Sequence, residues 1–149
     1  MKALIQRIKE SKIVISGGTY SQTNAGLLIF LGIGETDSEI EIDYLIKKIL
    51  NLRIFEDENN KMNLSVLDIK GDLMIVSQFT LYADTKKGNR PSFISAASPE
   101  KAKKMYNLFI EKINKSAHGM AVKSGVFAAD MKVHLINDGP VTIFIDTDK

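Results

Sequence analysis

The sequence contains no cysteine, and none of its apolar runs approaches the length of a membrane span. The absence of thiols excludes disulfide frameworks, thiolate nucleophiles and zinc sites with sulfur ligands. It also favours a reducing, cytoplasmic compartment. The longest apolar run, residues 26–34, has the length of a strand, whereas a helical span needs about 20 such residues. We therefore expect no membrane anchor, and the N-terminal sequence, with a charge every few residues, is not typical of a signal peptide.

The familiar catalytic motifs are missing as well. There is no GxSxG, P-loop, HExxH or GxGxxG sequence. The two histidines, His118 and His134, lie far apart, and His134 alternates with apolar neighbours as an ordinary strand residue does. The residues alone thus predict no nucleophile–base pair, no metal site and no cofactor.

The composition is that of a globular protein. Apolar residues make up 44% of the 149 residues and charged residues 26%, which predicts one folded domain over residues 1–149. The net charge of +2 is too small to indicate a nucleic-acid-binding protein by itself. Aromatic residues reach only 7% and no RRM-like aromatic pair is visible, so base stacking has little support in the sequence.

Alternation and apolar runs predict the strands of the first half. Residues 2–8 alternate, residues 12–16 form a second candidate strand, and Gly17 and Gly18 suit a hairpin turn after it. Residues 27–33 are apolar on both faces, which is typical of a central strand. Farther along the chain, residues 72–79 have the character of a core strand that ends in polar residues.

Helical spacing appears twice. Residues 36–50 predict a helix capped by Thr36 or Asp37, and residues 99–113 predict a second helix capped by Ser98. Strands are predicted at residues 132–136 and 141–145, with residues 137–140 as a plain turn between them. The resulting order β-β-β-α-β-α-β-β indicates an α+β domain with its helices layered on sheet.

Charge is distributed unevenly along the chain. Residues 35–58 hold eight acidic side chains against three basic ones, whereas residues 84–104 hold six basic against two acidic. A polyanion would bind more readily to the second region. A merely solvated helix face followed by a basic loop explains the charge equally well.

Two polar segments interrupt otherwise apolar strands. The first is Ser77, Gln78, Phe79 and Thr80, and the second is the Asn-Asp-Gly-Pro-Val-Thr stretch at residues 137–142. Together they resemble the two signature motifs of the D-aminoacyl-tRNA deacylases, also called D-tyrosyl-tRNA deacylases. The resemblance extends over essentially the whole chain and includes the blocks at residues 1–7, 48–55, 61–64, 88–93 and 127–131.

The resemblance implies a fold and an activity. It implies mostly antiparallel sheets that form a barrel-like or layered β core, with two main helices packed on it. It implies an enzyme of chiral proofreading in translation, which hydrolyses the ester joining a D-amino acid, or glycine mischarged on tRNA-Ala, to the terminal ribose of tRNA. The partners implied are the acceptor end of aminoacyl-tRNA and a second copy of the chain. In such a homodimer the active sites lie at the interface, and a cis Gly139–Pro140 peptide reaches into the partner's pocket.

The resemblance also assigns site residues. The catalytic segment is Ser77, Gln78, Phe79 and Thr80, where backbone N–H groups are suited to stabilise an oxyanion. Thr80 as a nucleophile is the weaker alternative, because no nearby residue in the sequence is an obvious base. Substrate binding and chiral selection are assigned to Gly139, Pro140, Asn137, Phe127, Met131, Ala102 and Arg7. Contact with the tRNA backbone is assigned to Lys86, Lys87 and Arg90, together with the lysines of residues 101–104.

Two other functions are compatible with the sequence. One is a non-catalytic RNA- or DNA-associated module on the same fold, and the other is a hydrolase of free D-amino acid esters. Comparing D-aminoacyl-tRNA with a small ester as substrates separates all three possibilities.

Overall fold

The computed structural model describes residues 1–148. A long first strand is followed by two shorter strands, a helix, three more strands, a 3-10 helix, a second helix and two final strands. The strands are β1 (Lys2–Ile15), β2 (Gly18–Thr23), β3 (Gly26–Gly32), β4 (Phe55–Glu56), β5 (Met62–Leu64), β6 (Asp72–Ser77), β7 (Val122–Ser124) and β8 (Lys132–Asp146). The helices are α1 (Glu39–Asn51), the 3-10 helix (Phe79–Tyr82) and α2 (Pro99–Ser116).

Strand β1 organises the main sheet because it pairs along both edges. One edge pairs antiparallel with β3 and then with β2, and the other pairs antiparallel with β8. Beyond β3 the sheet continues through β6 and β7, and both of those pairings are parallel. The sheet is therefore mixed and nearly closed, with two helices on it, and the predicted α+β class is confirmed.

The two strands predicted at residues 2–8 and 12–16 form a single strand in the structure. Pairing with β8 resumes at Glu10, opposite Ile136, and at Ser11, opposite Leu135, so β1 runs unbroken from Lys2 to Ile15. The register shifts around Ile8, and two exposed residues follow one another at that point. A bulge of this kind interrupts the alternation without ending the strand, which is why the sequence pattern suggests a break.

The plain turn predicted at residues 137–140 is also wrong. Strand β8 runs through this segment, with Asn137 opposite Ile8 and Thr142 opposite Gln6. Residues 137–140, which we call the elbow, lie in the irregular part of the β1–β8 pairing, and the Gly139–Pro140 peptide is cis, as the resemblance implies. Asn, Asp, Gly and Pro favour turns, but here long-range pairing overrides that local preference.

The β1–β2 hairpin turns one residue earlier than predicted. Ser16 and Gly17 take φ values of +51° and +81°, and Gly18 already belongs to β2, opposite Ile15. Positive φ at both central residues is the geometry of the tight hairpin turns that match strand twist.

Both predicted helices are present, but α1 starts later. Its cap is Ser38, not Thr36 or Asp37: the Ser38 hydroxyl accepts from the Ile40 N–H, and the Glu41 carboxylate accepts from the Ser38 N–H. The Ser38 hydroxyl also donates to Glu41, which lowers the pKa of that carboxyl. Helix α2 begins at Pro99 with Ser98 as its cap, as predicted, and continues to Ser116.

The main core lies between the sheet and the two helices. Its fully buried side chains include Ile5 and Ile29 from the sheet, Leu45 from α1, and Phe109 and Ile113 from α2. A smaller cluster packs on the sheet around Ile8, Ile13 and Met74. Burial of apolar side chains on this scale is the main stabilising term of the fold.

Candidate active site

A cavity of about 820 Å³ opens where β3 and β6 end. Residues from five parts of the chain enclose it: the ends of β3 and β6, the segment before α2, the start of α2, the segment between β7 and β8, and the start of β8. The lining residues are Leu31, Ile33, Val76, Ser77, Gln78, Phe79, Phe93, Ala96, Ala97, Ser98, Pro99, Ala102, Phe127, Ala128, Ala129, Asp130, Met131 and Val133. A mostly apolar cavity with a few polar groups is typical of a ligand site.

Three residues of the Ser77–Thr80 segment, Ser77, Gln78 and Phe79, form one edge of this cavity. Strand β6 ends at Ser77, the Gln78 N–H donates to the Leu31 carbonyl at 2.8 Å, and the 3-10 helix starts at Phe79. The Phe79 and Thr80 N–H groups lie ahead of the first bond of that helix, in which Leu81 N–H donates to the Gln78 carbonyl. Amides in a first turn have no partner within their helix, so they can serve an external acceptor.

A buried ion pair contacts the 3-10 helix through its last residue, Tyr82. The amino group of Met1 donates to Asp37 Oδ1 at 2.5 Å, while Asp37 Oδ2 accepts from the Gly34 N–H at 2.6 Å and from the Tyr82 hydroxyl at 3.4 Å. Burial, and then the Asp37 carboxylate, raises the pKa of Tyr82. A Cβ at Gly34 would lie 2.6 Å from the Tyr82 hydroxyl, so glycine permits this close approach.

Thr80 lies outside the cavity lining. Its side chain is exposed, and its hydroxyl accepts a hydrogen bond from Gln78 Nε2. An amide cannot take up the proton that a nucleophilic hydroxyl must lose.

The far wall of the cavity contains Phe127, Ala128 and Met131. The Phe127 ring packs against Tyr106 of α2 with 6.0 Å between centroids, and the buried Tyr106 hydroxyl donates to the Ile75 carbonyl at 2.9 Å. Burial raises the pKa of Tyr106 to about 12. Ala128 has a φ of +61°, a conformation that costs a residue other than glycine about 1 kcal/mol or more.

Ionisable side chains are scarce in the described lining of the cavity. Of the lining residues within 1–148, Asp130 alone has an ionisable side chain, and its carboxylate is exposed and 2.9 Å from Lys132 Nζ. Chemistry here has to rely on positioning, backbone dipoles and the reactivity of the substrate itself.

The elbow is separate from the cavity of its own chain. Gly139 and Pro140 are exposed, and neither they nor Asn137 or Arg7 are among the described residues that line the cavity. The resemblance assigns all of these residues to substrate selection, so the fold of one chain divides the assigned site into two regions.

Two side chains fix the elbow. Arg7, only 6% exposed, donates through Nε to the Asp138 carbonyl at 3.1 Å and through Nη1 to the Ile54 carbonyl at 2.6 Å. Asn137 Nδ2 donates to the Arg7 carbonyl at 2.9 Å and to the Val141 carbonyl at 3.1 Å. The amide group of Asn137 is thus used within the chain.

The basic residues are close in sequence to Phe93 and Ala102, which line the cavity. Lys86, Lys87 and Arg90 are exposed in the loop between Asp84 and Ser92, whose backbones pair with each other at 2.8 and 3.0 Å. Lys103 and Lys104 are exposed on α2, and Lys101 donates to the Glu35 carbonyl.

Neither a membrane helix nor a metal cluster occurs in the described part of the chain. No helix within residues 1–148 is long and apolar enough to cross a bilayer. Within the same residues, no three His, Asp or Glu side chains are grouped so that they could hold a metal ion.

Comparison with known proteins decides the family. Residues 4–146 match the family model described as D-Tyr-tRNA(Tyr) deacylase. The chain belongs to this deacylase family. Its members are hydrolases that act on aminoacyl-tRNA, so the predicted enzyme class and the resemblance seen in the two motifs are confirmed.

Individual deacylases match the chain over its full length. The D-aminoacyl-tRNA deacylases of Thermosipho melanesiensis and Clostridioides difficile are each 52% identical over 149 residues, which is 100% of this chain and 99% of theirs. A solved structure of a c-Myc DNA unwinding element binding protein superposes with a TM-score of 0.94 at 40% identity, covering 99% of both chains. A probable eukaryotic D-amino acid tRNA deacylase, 15% identical with a TM-score of 0.85, shares the fold and covers 97% of both chains.

Two features of this candidate site have no signal in the sequence. The role of Asp37 depends on contacts with Met1 and Tyr82, far away in sequence, and only its unusual burial identifies it. The Phe79 and Phe93 rings meet edge to face at 5.0 Å, although they are separated along the chain by the basic loop. Neither pairing has a local sequence signal.

Proposed function

We propose that this chain hydrolyses the ester of D-aminoacyl-tRNA in the cavity, releasing tRNA and the free D-amino acid. The observation that carries the proposal is the family's Ser-Gln-Phe segment at the edge of a cavity without a general base. An aminoacyl ester is already activated, so orienting a water molecule and stabilising the oxyanion can supply most of the rate enhancement. Such a substrate implies an enzyme of the cytoplasm, where aminoacyl-tRNA is used.

Backbone amides are the proposed oxyanion donors. The Phe79 and Thr80 N–H groups precede the first hydrogen bond of the 3-10 helix, and that helix is supported by the buried Asp37. One well-placed oxyanion donor contributes about 3–4 kcal/mol to transition-state stabilisation. The Thr80 hydroxyl has no part in this scheme, because no base is available to activate it.

Chiral selection is proposed to come from the elbow of a second subunit. Gly139 and Pro140 are exposed, are rigidly supported by Arg7 and Asn137, and lie away from the cavity of their own chain. Inserted into a partner's cavity, backbone carbonyls of the elbow would bind the α-amino group and leave no space for an L side chain. Selection by a clash discriminates between enantiomers without recognising which D side chain is present.

Glycine provides the first test. With no side chain, glycyl-tRNA meets no clash, so we expect the purified protein to deacylate D-tyrosyl-tRNA and glycyl-tRNA while leaving L-tyrosyl-tRNA intact. Release of labelled amino acid measures all three reactions. Intact glycyl-tRNA under conditions that consume D-tyrosyl-tRNA would contradict selection by a clash.

A non-catalytic nucleic-acid-binding module remains the rival, favoured by the name of the relative that binds a DNA unwinding element. The same assay separates the two, since a module binds D-aminoacyl-tRNA without turnover. A hydrolase of free esters would instead cleave the methyl ester of D-tyrosine as fast as D-tyrosyl-tRNA.

A further inference from the structure

We propose that Phe79, Phe93 and Ile94 form a stacking platform for the unpaired 3′ end of the tRNA, taking a base upstream of the terminal adenosine. This inference rests on the proposed function. Base stacking has little support in the composition, but the fold assembles an aromatic pair at the cavity that no sequence pattern shows.

The platform is apolar and accessible. Phe79 is 57% exposed and Ile94 is 91% exposed, while the Phe93 ring contacts the Phe79 ring edge to face. Both rings line the cavity, whereas Ile94 lies outside it. The patch therefore extends from the cavity edge onto the surface, next to the position of a nucleotide bound inside the cavity.

The backbone beneath the platform is fixed on both sides. Ser92 pairs with Asp84 through two backbone hydrogen bonds, and Ala96 forms a bridge with Gly34. In addition, the Glu35 N–H donates to the Ser95 carbonyl and the Ala97 N–H to the Ile33 carbonyl. A surface that is ordered before binding loses little entropy when a ligand binds.

Charge indicates what the platform binds. The stretch of residues 84–104 that contains Phe93 and Ile94 holds six basic and two acidic side chains, and Lys86, Lys87 and Arg90 are exposed next to the platform in sequence. Aromatic faces beside cationic side chains are the usual arrangement for single-stranded nucleic acid, where bases stack and phosphates pair with charge. An apolar peptide would gain nothing from these cations.

Shortening the substrate tests the platform. D-tyrosyl-tRNA and D-tyrosyl-adenosine share the reacting ester, but only the first has upstream bases. For Phe93→Leu we expect the ratio of kcat/KM on tRNA to kcat/KM on the adenosine ester to fall about tenfold, within the range for loss of one base–aromatic stack. Phe93→Tyr retains the ring and should keep the ratio within about twofold. Loss of both activities by the same factor, or no loss at all, overturns the platform.

A binding measurement decides the question independently of catalysis. Fluorescence anisotropy with a single-stranded RNA hexamer ending in CCA should show a dissociation constant about tenfold weaker for Phe93→Leu than for the unmodified chain or Phe93→Tyr. Equal binding by all three refutes the proposal. If the unmodified chain hydrolyses neither ester, the proposed function fails, while the hexamer still tests the platform.

A second copy of the chain is the competing occupant of this surface. Sedimentation velocity of Phe93→Leu and Ile94→Ser distinguishes it from RNA: the platform predicts an unchanged oligomeric state for both variants. A shift towards monomer would assign these side chains to a subunit contact and contradict the proposal.

Discussion

The elbow and the cavity edge differ in how many side-chain hydrogen bonds stabilise them directly. Three hydrogen bonds from Arg7 and Asn137 hold the elbow, and a fourth fixes Arg7 itself to the Ile54 carbonyl. The exposed end of the Ser77–Thr80 segment has one side-chain hydrogen bond, between Gln78 and Thr80. The cavity edge is supported indirectly, through Tyr82 and the buried Asp37. The difference fits the two tasks proposed for these regions: rejecting an enantiomer requires a rigid shape, whereas hydrolysing an activated ester requires space and correctly oriented amides.

Removing the support behind the cavity should have the largest effect. Asp37→Ala removes the closer of the two carboxylates, Asp37 and Asp148, that pair with the buried amino group of Met1. Breaking a buried ion pair in this way typically costs about 3–5 kcal/mol of unfolding free energy. Urea unfolding followed by circular dichroism measures this cost. Asp43→Ala is the matched control, because its 2.7 Å ion pair with Lys112 lies at the surface and should matter little. Equal effects of the two substitutions would show that Asp37 has no special structural role.

Removing the support of the elbow should lower the free energy of unfolding less than Asp37→Ala does, but it should weaken discrimination between the D and L substrates. Arg7→Ala removes the donors to the Asp138 and Ile54 carbonyls, so we expect a loss of about 2–3 kcal/mol and measurable hydrolysis of L-tyrosyl-tRNA. Unfolding and deacylation assays on one preparation give both values. Lys9→Ala is the control, since Lys9 is exposed and contacts the same Asp138. An Arg7→Ala protein that still excludes the L substrate would separate Arg7 from selection.

Neutralising the basic loop should affect binding alone. With Lys86, Lys87 and Arg90 all changed to Gln, we expect KM for D-tyrosyl-tRNA to rise about tenfold at low salt. The salt dependence of kcat/KM should become shallower by about one unit for each phosphate that is no longer neutralised. The ratio of D to L hydrolysis should not change, and any change in it would contradict the assignment of these residues to the tRNA backbone.

The smallest effect is expected at Thr80. Thr80→Val removes the hydroxyl but leaves the backbone N–H in place, so kcat in single-turnover assays should fall by less than about tenfold. A hydroxyl nucleophile would instead lose several orders of magnitude. A loss that large would restore Thr80 as the reacting group.

Local signals account for the elements that were predicted well. Both helices follow from amphipathic spacing, and the Ser98 cap with Pro99 after it marks the start of α2. The two motifs identify the family, because their residues and order are specific enough without any knowledge of contacts.

Long-range pairing accounts for what the sequence missed. Strands β1 and β8 continue through irregular positions because each provides hydrogen-bond partners for the backbone of the other. The bulge near Ile8 and the turn-like residues 137–140 therefore suggest strand ends in the sequence, although both strands continue there. The parallel pairing of β3 with β6 has no signal in either strand alone. Likewise, the division between cavity and elbow is a property of the folded chain.

Mixed dimers test most directly whether the elbow of one subunit acts in the cavity of another. Pro140→Ala, which removes the ring that fixes the local backbone, should hydrolyse both enantiomers. Ala102→Trp, which fills the cavity, should hydrolyse neither. When Pro140→Ala chains are mixed with an excess of Ala102→Trp chains, each open cavity belongs to a Pro140→Ala chain and faces the intact elbow of an Ala102→Trp chain. The ratio of L to D hydrolysis should then fall to that of the unmodified protein. A ratio that stays at the Pro140→Ala value, whatever the excess, would contradict a shared site.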